Sequence, residues 1–166
     1  MTPEDALCNT VRFAAARCGQ SEQAPEFDPW LVTASVLMAQ QACALALRAA
    51  GDLIPEQAGA TELVLRAVSK DRLPAPFTLP FRAAARQSFD RMVEARNGVM
   101  HPRGILWHVS GRTLSRGIPV ATGIVRHLIL TQPVLNDLVS PGQHGVLRSD
   151  LLALDAFADF LDDPET

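Results

Sequence analysis

An arginine and a histidine stand five positions apart, with a proline directly behind, in the stretch EARNGVMHPRG, residues 94 to 104. Arg96 is followed by the polar Asn97, then Gly98, Val99 and Met100, then His101 and Pro102. On a helix that continues or distorts slightly near its end, side chains at this spacing can face one side. A guanidinium neutralises the equatorial oxygens of a developing phosphorane through a bidentate contact. An imidazole titrates near neutrality and can take or give a proton. Asn97 can hydrogen-bond a phosphate oxygen or orient the ring. Together these groups suit phosphodiester chemistry. If the nucleophile is the 2'-hydroxyl of RNA itself, no metal or other cofactor is needed. A plainer reading stands beside this one: Arg96 can pair with Glu94 or Asp90, and His101 can cap the helix C-terminus.

Further candidates lie nearby. Arg103 can add positive potential for a phosphate or be a solvated loop arginine. Arg82 and Arg86 are four apart and can line an RNA track or simply form the polar face of an amphipathic helix. His108, after Trp107, can reach the cleft if the chain folds back, or stay at the surface. The four histidines, His101, His108, His127 and His144, include no pair at i, i+4, and no cysteine or carboxylate cluster completes a ligand set, so no metal site is expected. Cys43 sits in an apolar run and reads as core. Trp30 reads as an anchor of the core or of a dimer contact. The chain has no P-loop, no G-x-G-x-x-G, no G-x-S-x-G and no H-E-x-x-H.

The frame that must position these residues is read from composition and periodicity. A chain of 166 residues is one domain, residues 1–166, with room for a single core. A formal net charge of −3 does not fit a strongly basic, non-specific nucleic-acid binder. Any bound anion would be held locally by a few arginines, since Lys70 is the one lysine in the chain. Three cysteines without a C-x-x-C pair argue against a disulfide framework and for a reducing compartment. The N-terminal residues lack the apolar stretch of a signal peptide. Leu31 to Ala50 is interrupted by Thr33, Ser35, Gln40, Gln41 and Arg48, and reads as a buried helix with no membrane span. The protein is expected to be soluble and cytoplasmic.

Abundant Ala and Leu, no Tyr and few β-branched runs predict an all-α fold, a bundle of four or five main helices. The first helix starts at Thr2-Pro3-Glu4-Asp5 and is expected to stop at Gly19. A second runs from about Trp30 to Ala50, opened by Asp28-Pro29 and closed by Gly51, and a third from about Gln57 to Ser69. After a proline-rich connector, Thr78 would cap a fourth helix from about Pro80 to Arg96 or slightly beyond, fraying at Gly98 and Pro102. Its apolar face is Phe81, Ala85, Phe89, Met92 and Val93. The stretch GILWHVSGRTLSRGIPV, with its glycines and partial alternation, predicts a short extended excursion or hairpin. VATGIVRHLILTQPV is read as helix, and Ser149 as the cap of a C-terminal amphipathic helix.

R-N-x-x-x-H followed by proline resembles the signature of the HEPN superfamily (higher eukaryotes and prokaryotes nucleotide-binding domains). Residues 38 to 68, MAQQACALALRAAGDLIPEQAGATELVLRAV, are similar to the early helices of that family, with Gln40, Gln41, Ala42, Leu45 and Arg48 in comparable places. Where many members carry a glutamate in the first long helix, this chain has Cys43 or Ala44. The resemblance covers about residues 30 to 102. It implies a small helical domain with metal-independent endoribonuclease activity. Arg96 would contact the scissile phosphate, His101 would act as general acid or base, and Asn97 would support them. It also implies a homodimer with both motif helices at one cleft, an RNA substrate cut to 2',3'-cyclic phosphate ends, and a toxin or defence effector restrained by an antitoxin or regulatory protein. The alternative is a non-catalytic binding or dimerisation module of the same fold.

Overall fold

Thr2 and Asp5 cap one another at the start of α1, Pro3–Ser21. The Asp5 N–H donates to Thr2 Oγ1 at 3.1 Å and the Thr2 N–H to Asp5 Oδ2 at 3.1 Å, a reciprocal box that satisfies two otherwise orphaned amides. The computed structural model describes residues 1–21, 28–69, 72–73, 82–100, 108–131 and 139–162. α1 runs through Gly19, the predicted stop, where the surroundings are open. A helical glycine costs about 1 kcal/mol and does not by itself end a helix.

α2 spans Pro29–Ala49. Asp28 serves both of its neighbours. Oδ1 accepts from the amides of Trp30 and Leu31 at 3.0 and 3.1 Å, while Oδ2 takes the Arg17 guanidinium of α1 at 2.7 and 2.9 Å. A carboxylate this buried is tolerated because every contact is charge-assisted or a cap. At the other end Gly51, at φ +82°, terminates the helix. Its N–H donates to the Arg48 carbonyl and that of Asp52 to Leu47, the double closure that a left-handed residue permits. α2 is long and apolar enough to cross a membrane by length and composition. However, 67% of its most apolar window is buried in the bundle, as in a core helix.

α3, Ala60–Ala67, is shorter than the predicted 57–69. α4 covers Ala83–Met100, so Gly98 does not fray it. The expected Thr78 cap lies outside the described residues. The predicted extended excursion is overturned from residue 111 onward. Ser110 accepts from the Thr113 amide and starts α5, Gly111–Val125, which continues as a π-helical turn, Arg126–Thr131. On that turn Leu128, Ile129 and Leu130 are all buried. The C-terminal helix α6, Pro141–Asp162, begins eight residues before the predicted cap. Ser140 and Gln143 form its capping box, and Ser149 is an exposed helical residue.

Side-chain pairs fix the directions. Arg12–Asp150 and Asp5–Gln143 join α1 to α6 at an equal offset, so these helices are parallel. Ser115–Asp162 and Thr122–Asp155 run in opposite order, so α5 and α6 are antiparallel. Gly117 lies against Ser88 and Met92, while Val120 shares a crevice with Arg86 and Phe89, which makes α4 and α5 antiparallel. α2 packs on α1, α3, α4 and α5 at the centre. Leu31, Met38 and Leu47 of α2 meet Met92, Leu114, Ile118, Ile124, Leu128 and Leu151 in one buried cluster. Each such side chain contributes about 1.5–3 kcal/mol when removed from water. Among the described residues every element is helical, and the fold is an all-α bundle of six helices.

Candidate functional site

Ala85, Phe89, Met92, Arg96 and Val99 recur on α4 at i, i+4, i+7, i+11 and i+14, the spacing of a single helix face. Phe89 and Met92 are buried in the core, and Ala85 and Val99 are half-buried. The fourth position of this stripe is a guanidinium. Arg96 is half-buried, and its Nε is buried with no hydrogen-bond partner. Its one hydrogen bond among the described residues runs from Nη1 to Asn97 Oδ1 at 3.2 Å. Neither Glu94 nor Asp90 forms an ion pair with it, so the structural pairing allowed by the sequence is not the one adopted.

Desolvating a charged donor without a counter-charge is unfavourable. The arrangement is chemically suited to receiving an anion from outside the chain. Asn97 is exposed beside the guanidinium and Gly98 leaves the surface over the last turn open. α4 remains helical to Met100, the last described residue before position 101. His101 and Arg103 lie outside the described residues, as do Pro102 and residues 104–107. Arg86 is exposed on a flank of the same helix, and Arg82 is exposed one residue before its start. Arg86 borders a crevice with Thr61, Val64, Phe89, Asp90 and Val120.

The remaining chemistry-bearing residues are elsewhere. His108 is exposed before α5. His127 sits on the π-helical turn, where burial pushes its pKa down. Among the described residues no group of three or more His, Cys, Asp or Glu is placed to hold a metal ion. Cys43 is fully buried and its thiol is pushed up to about 12 by desolvation, as is that of Cys18. Neither is a nucleophile at neutral pH. Trp30 is 55% exposed and does not anchor the core. It borders a cavity of about 450 Å³ between α1 and α2, with Phe13, Leu37 and Gln41.

The sequence reading passed over Arg112 and Arg116 on α5, which carry no carboxylate partner among the described residues. A running count of charge along the chain would have found them. No family model matches the chain, and neither does a curated protein or a solved structure.

Proposed function

We propose that this chain is a metal-independent endoribonuclease of HEPN type, acting as a homodimer in which Arg96 and His101 of both copies line one cleft. The observation that carries the reading is the Arg96 guanidinium, placed on the core-facing stripe of α4 just before its last turn, with no carboxylate partner among the described residues. The all-α bundle and the arginines of α4, which have no carboxylate partner among the described residues, support it further. In the reaction the substrate 2'-hydroxyl attacks the adjacent phosphorus and the bond to the 5'-oxygen breaks. The 2'-proton goes to a base, the leaving oxygen takes a proton from an acid, and a 2',3'-cyclic phosphate and a 5'-hydroxyl result. His101 supplies acid or base, Arg96 neutralises the charge gained at phosphorus, and Asn97 holds the guanidinium or a phosphate oxygen. Arg82, Arg86 and Arg103 contact the RNA backbone. The working place is the cytoplasm, with an antitoxin or regulatory protein as restraint.

The same half-buried position of Arg96 favours one other reading, a non-catalytic module in which the guanidinium holds the helix end or the dimer seam. Cleavage of a mixed single-stranded and structured RNA pool with EDTA present separates the two. The wild type is expected to cut, leaving 2',3'-cyclic phosphate ends, and His101→Ala is expected not to. A folded, dimeric wild type that leaves the pool intact points to the seam reading.

A further inference from the structure

Charge in this chain is segregated along the sequence. Residues 82–116 hold seven arginines against Asp90 and Glu94, a net of +5. The other eight basic residues face 16 acidic ones, a net of −8. The structure sharpens the division. Arg12, Arg17, Arg66, Arg72 and Arg126 all sit within ion-pair distance of a carboxylate. Among the described residues, Arg82 just before α4, Arg86, Arg91 and Arg96 on α4, and Arg112 and Arg116 on α5 do not. Arg48 on α2 and Arg148 on α6 likewise have no carboxylate within this distance among the described residues, but they lie apart on separate helices, whereas the arginines of α4 and the start of α5 lie along two packed ones.

Antiparallel packing gathers these charges. Gly117 lies against Ser88 and Met92, so Arg116 is level with about Met92 and Arg112, one turn earlier, is level with about Arg96, just before the last turn of α4. Arg112 is exposed and Arg116 is half-buried on the same solvent-facing stripe of α5. Resting on the ribonuclease reading, we infer that Arg112 and Arg116 bind the backbone of single-stranded RNA and lead it to the Arg96 end of α4. A row of unpaired guanidinia suits a polyanion, because each phosphate contact releases condensed counterions and adds to a salt-dependent affinity. The acidic remainder of the surface repels the same strand and confines it to this strip.

The test is anisotropy of a labelled single-stranded 2'-O-methyl RNA, which cannot be cleaved through its 2'-oxygen, titrated across salt concentrations. Arg112→Ala/Arg116→Ala is expected to weaken binding and to reduce the slope of log affinity against log salt by about 1 to 1.5, since each phosphate contact on a single strand contributes about 0.7. Arg112→Glu alone, at an exposed position, is expected to weaken binding as well. Arg48→Ala/Arg148→Ala, which removes two arginines lying off the strip, should leave the slope unchanged. Equal slopes in wild type and the Arg112/Arg116 variant, or equal losses in the Arg48/Arg148 control, overturn the strip. A polyglutamate peptide that displaces the RNA with the same salt slope reassigns the strip to an acidic protein and overturns the RNA proposal. Cleavage is read separately with the wild type and His101→Ala, so a strip that fails while cleavage persists leaves the ribonuclease reading intact.

Discussion

Arg96 occupies a position that the neighbouring turns of α4 fill with Phe89 and Met92. A methionine would fit that stripe with its stem along the same path and no charge to desolvate. Folding alone therefore gives no reason for the guanidinium, whose Nε stays buried and unpartnered. Arg96→Met is expected to leave stability unchanged or raise it by up to about 2 kcal/mol, the size of an unsatisfied buried donor, and to abolish RNA cleavage. Urea unfolding at fixed protein concentration, beside the cleavage assay, measures both. A loss of about 2 kcal/mol or more would mean that Arg96 holds a seam and is no ligand for phosphate. The residue types of this site were legible in the sequence, because an arginine, an amide and an imidazole near a helix end announce themselves. The burial was not. It depends on α2 and α5 closing over one face of α4, and the i+4, i+7 progression from Ala85 was read only as far as Met92 and Val93.

Gly117 shows how an element can be misread. Glycines at 104, 111 and 117, with Pro119 behind them, look like punctuation, and residues 104–119 read as a hairpin. In the bundle Gly117 is a contact residue. An added Cβ would collide with the Met92 sulfur and stand 3.3 Å from the Ser88 backbone carbon. α5 can lie close to α4 only because the side chain is missing, and the proline is accommodated inside the helix. Gly117→Ala is expected to cost about 1–3 kcal/mol despite alanine's better helix propensity, because Met92 must leave its rotamer and α5 must shift. Thermal unfolding of this variant beside Gly98→Ala, where nothing lies within 4 Å, gives the comparison. The Gly98 variant should gain up to about 1 kcal/mol. Similar effects at both positions would remove the close helix contact as the explanation. Two helix starts, by contrast, were legible from a side chain close in sequence that caps them: Thr2 with Asp5, and Asp28. Ser140 with Gln143 offered the same local signal, and the stronger apolar periodicity after Ser149 drew attention past it.

On the scale of the whole molecule, α1 and α6 pack in parallel, and two carboxylates on that seam are shifted in opposite directions. Asp5 is held below the usual carboxylate range, first by the Thr2 amide, then by the Thr2 hydroxyl, with Gln143 of α6 adding a bond. Asp150 is pushed above that range by burial, with Arg12 opposing from 4.0 Å and Oδ2 left without a hydrogen bond. The linkage signs follow from proton uptake. The folded state holds the Asp5 proton less tightly than the unfolded chain, so Asp5 stabilises above the unfolded value, and this is lost as pH falls through the folded one. Asp150 binds its proton more tightly when folded, so its penalty is absent below the unfolded value and grows as pH rises through the folded one. Asp150→Asn should therefore stabilise at pH 7, by less than about 1 kcal/mol for a partly solvated group, and the gain should fade toward about pH 3. Asp5→Asn keeps an oxygen that can accept the cap but loses the charge. It should lower the urea midpoint at pH 7 and converge on wild type in acid. Midpoints for both variants at the two pH values decide the matter. A shift in the same direction at pH 7 would show that the seam does not discriminate between its two acids, and the bundle would then close on apolar contacts such as Leu7, Leu147 and Leu151 alone.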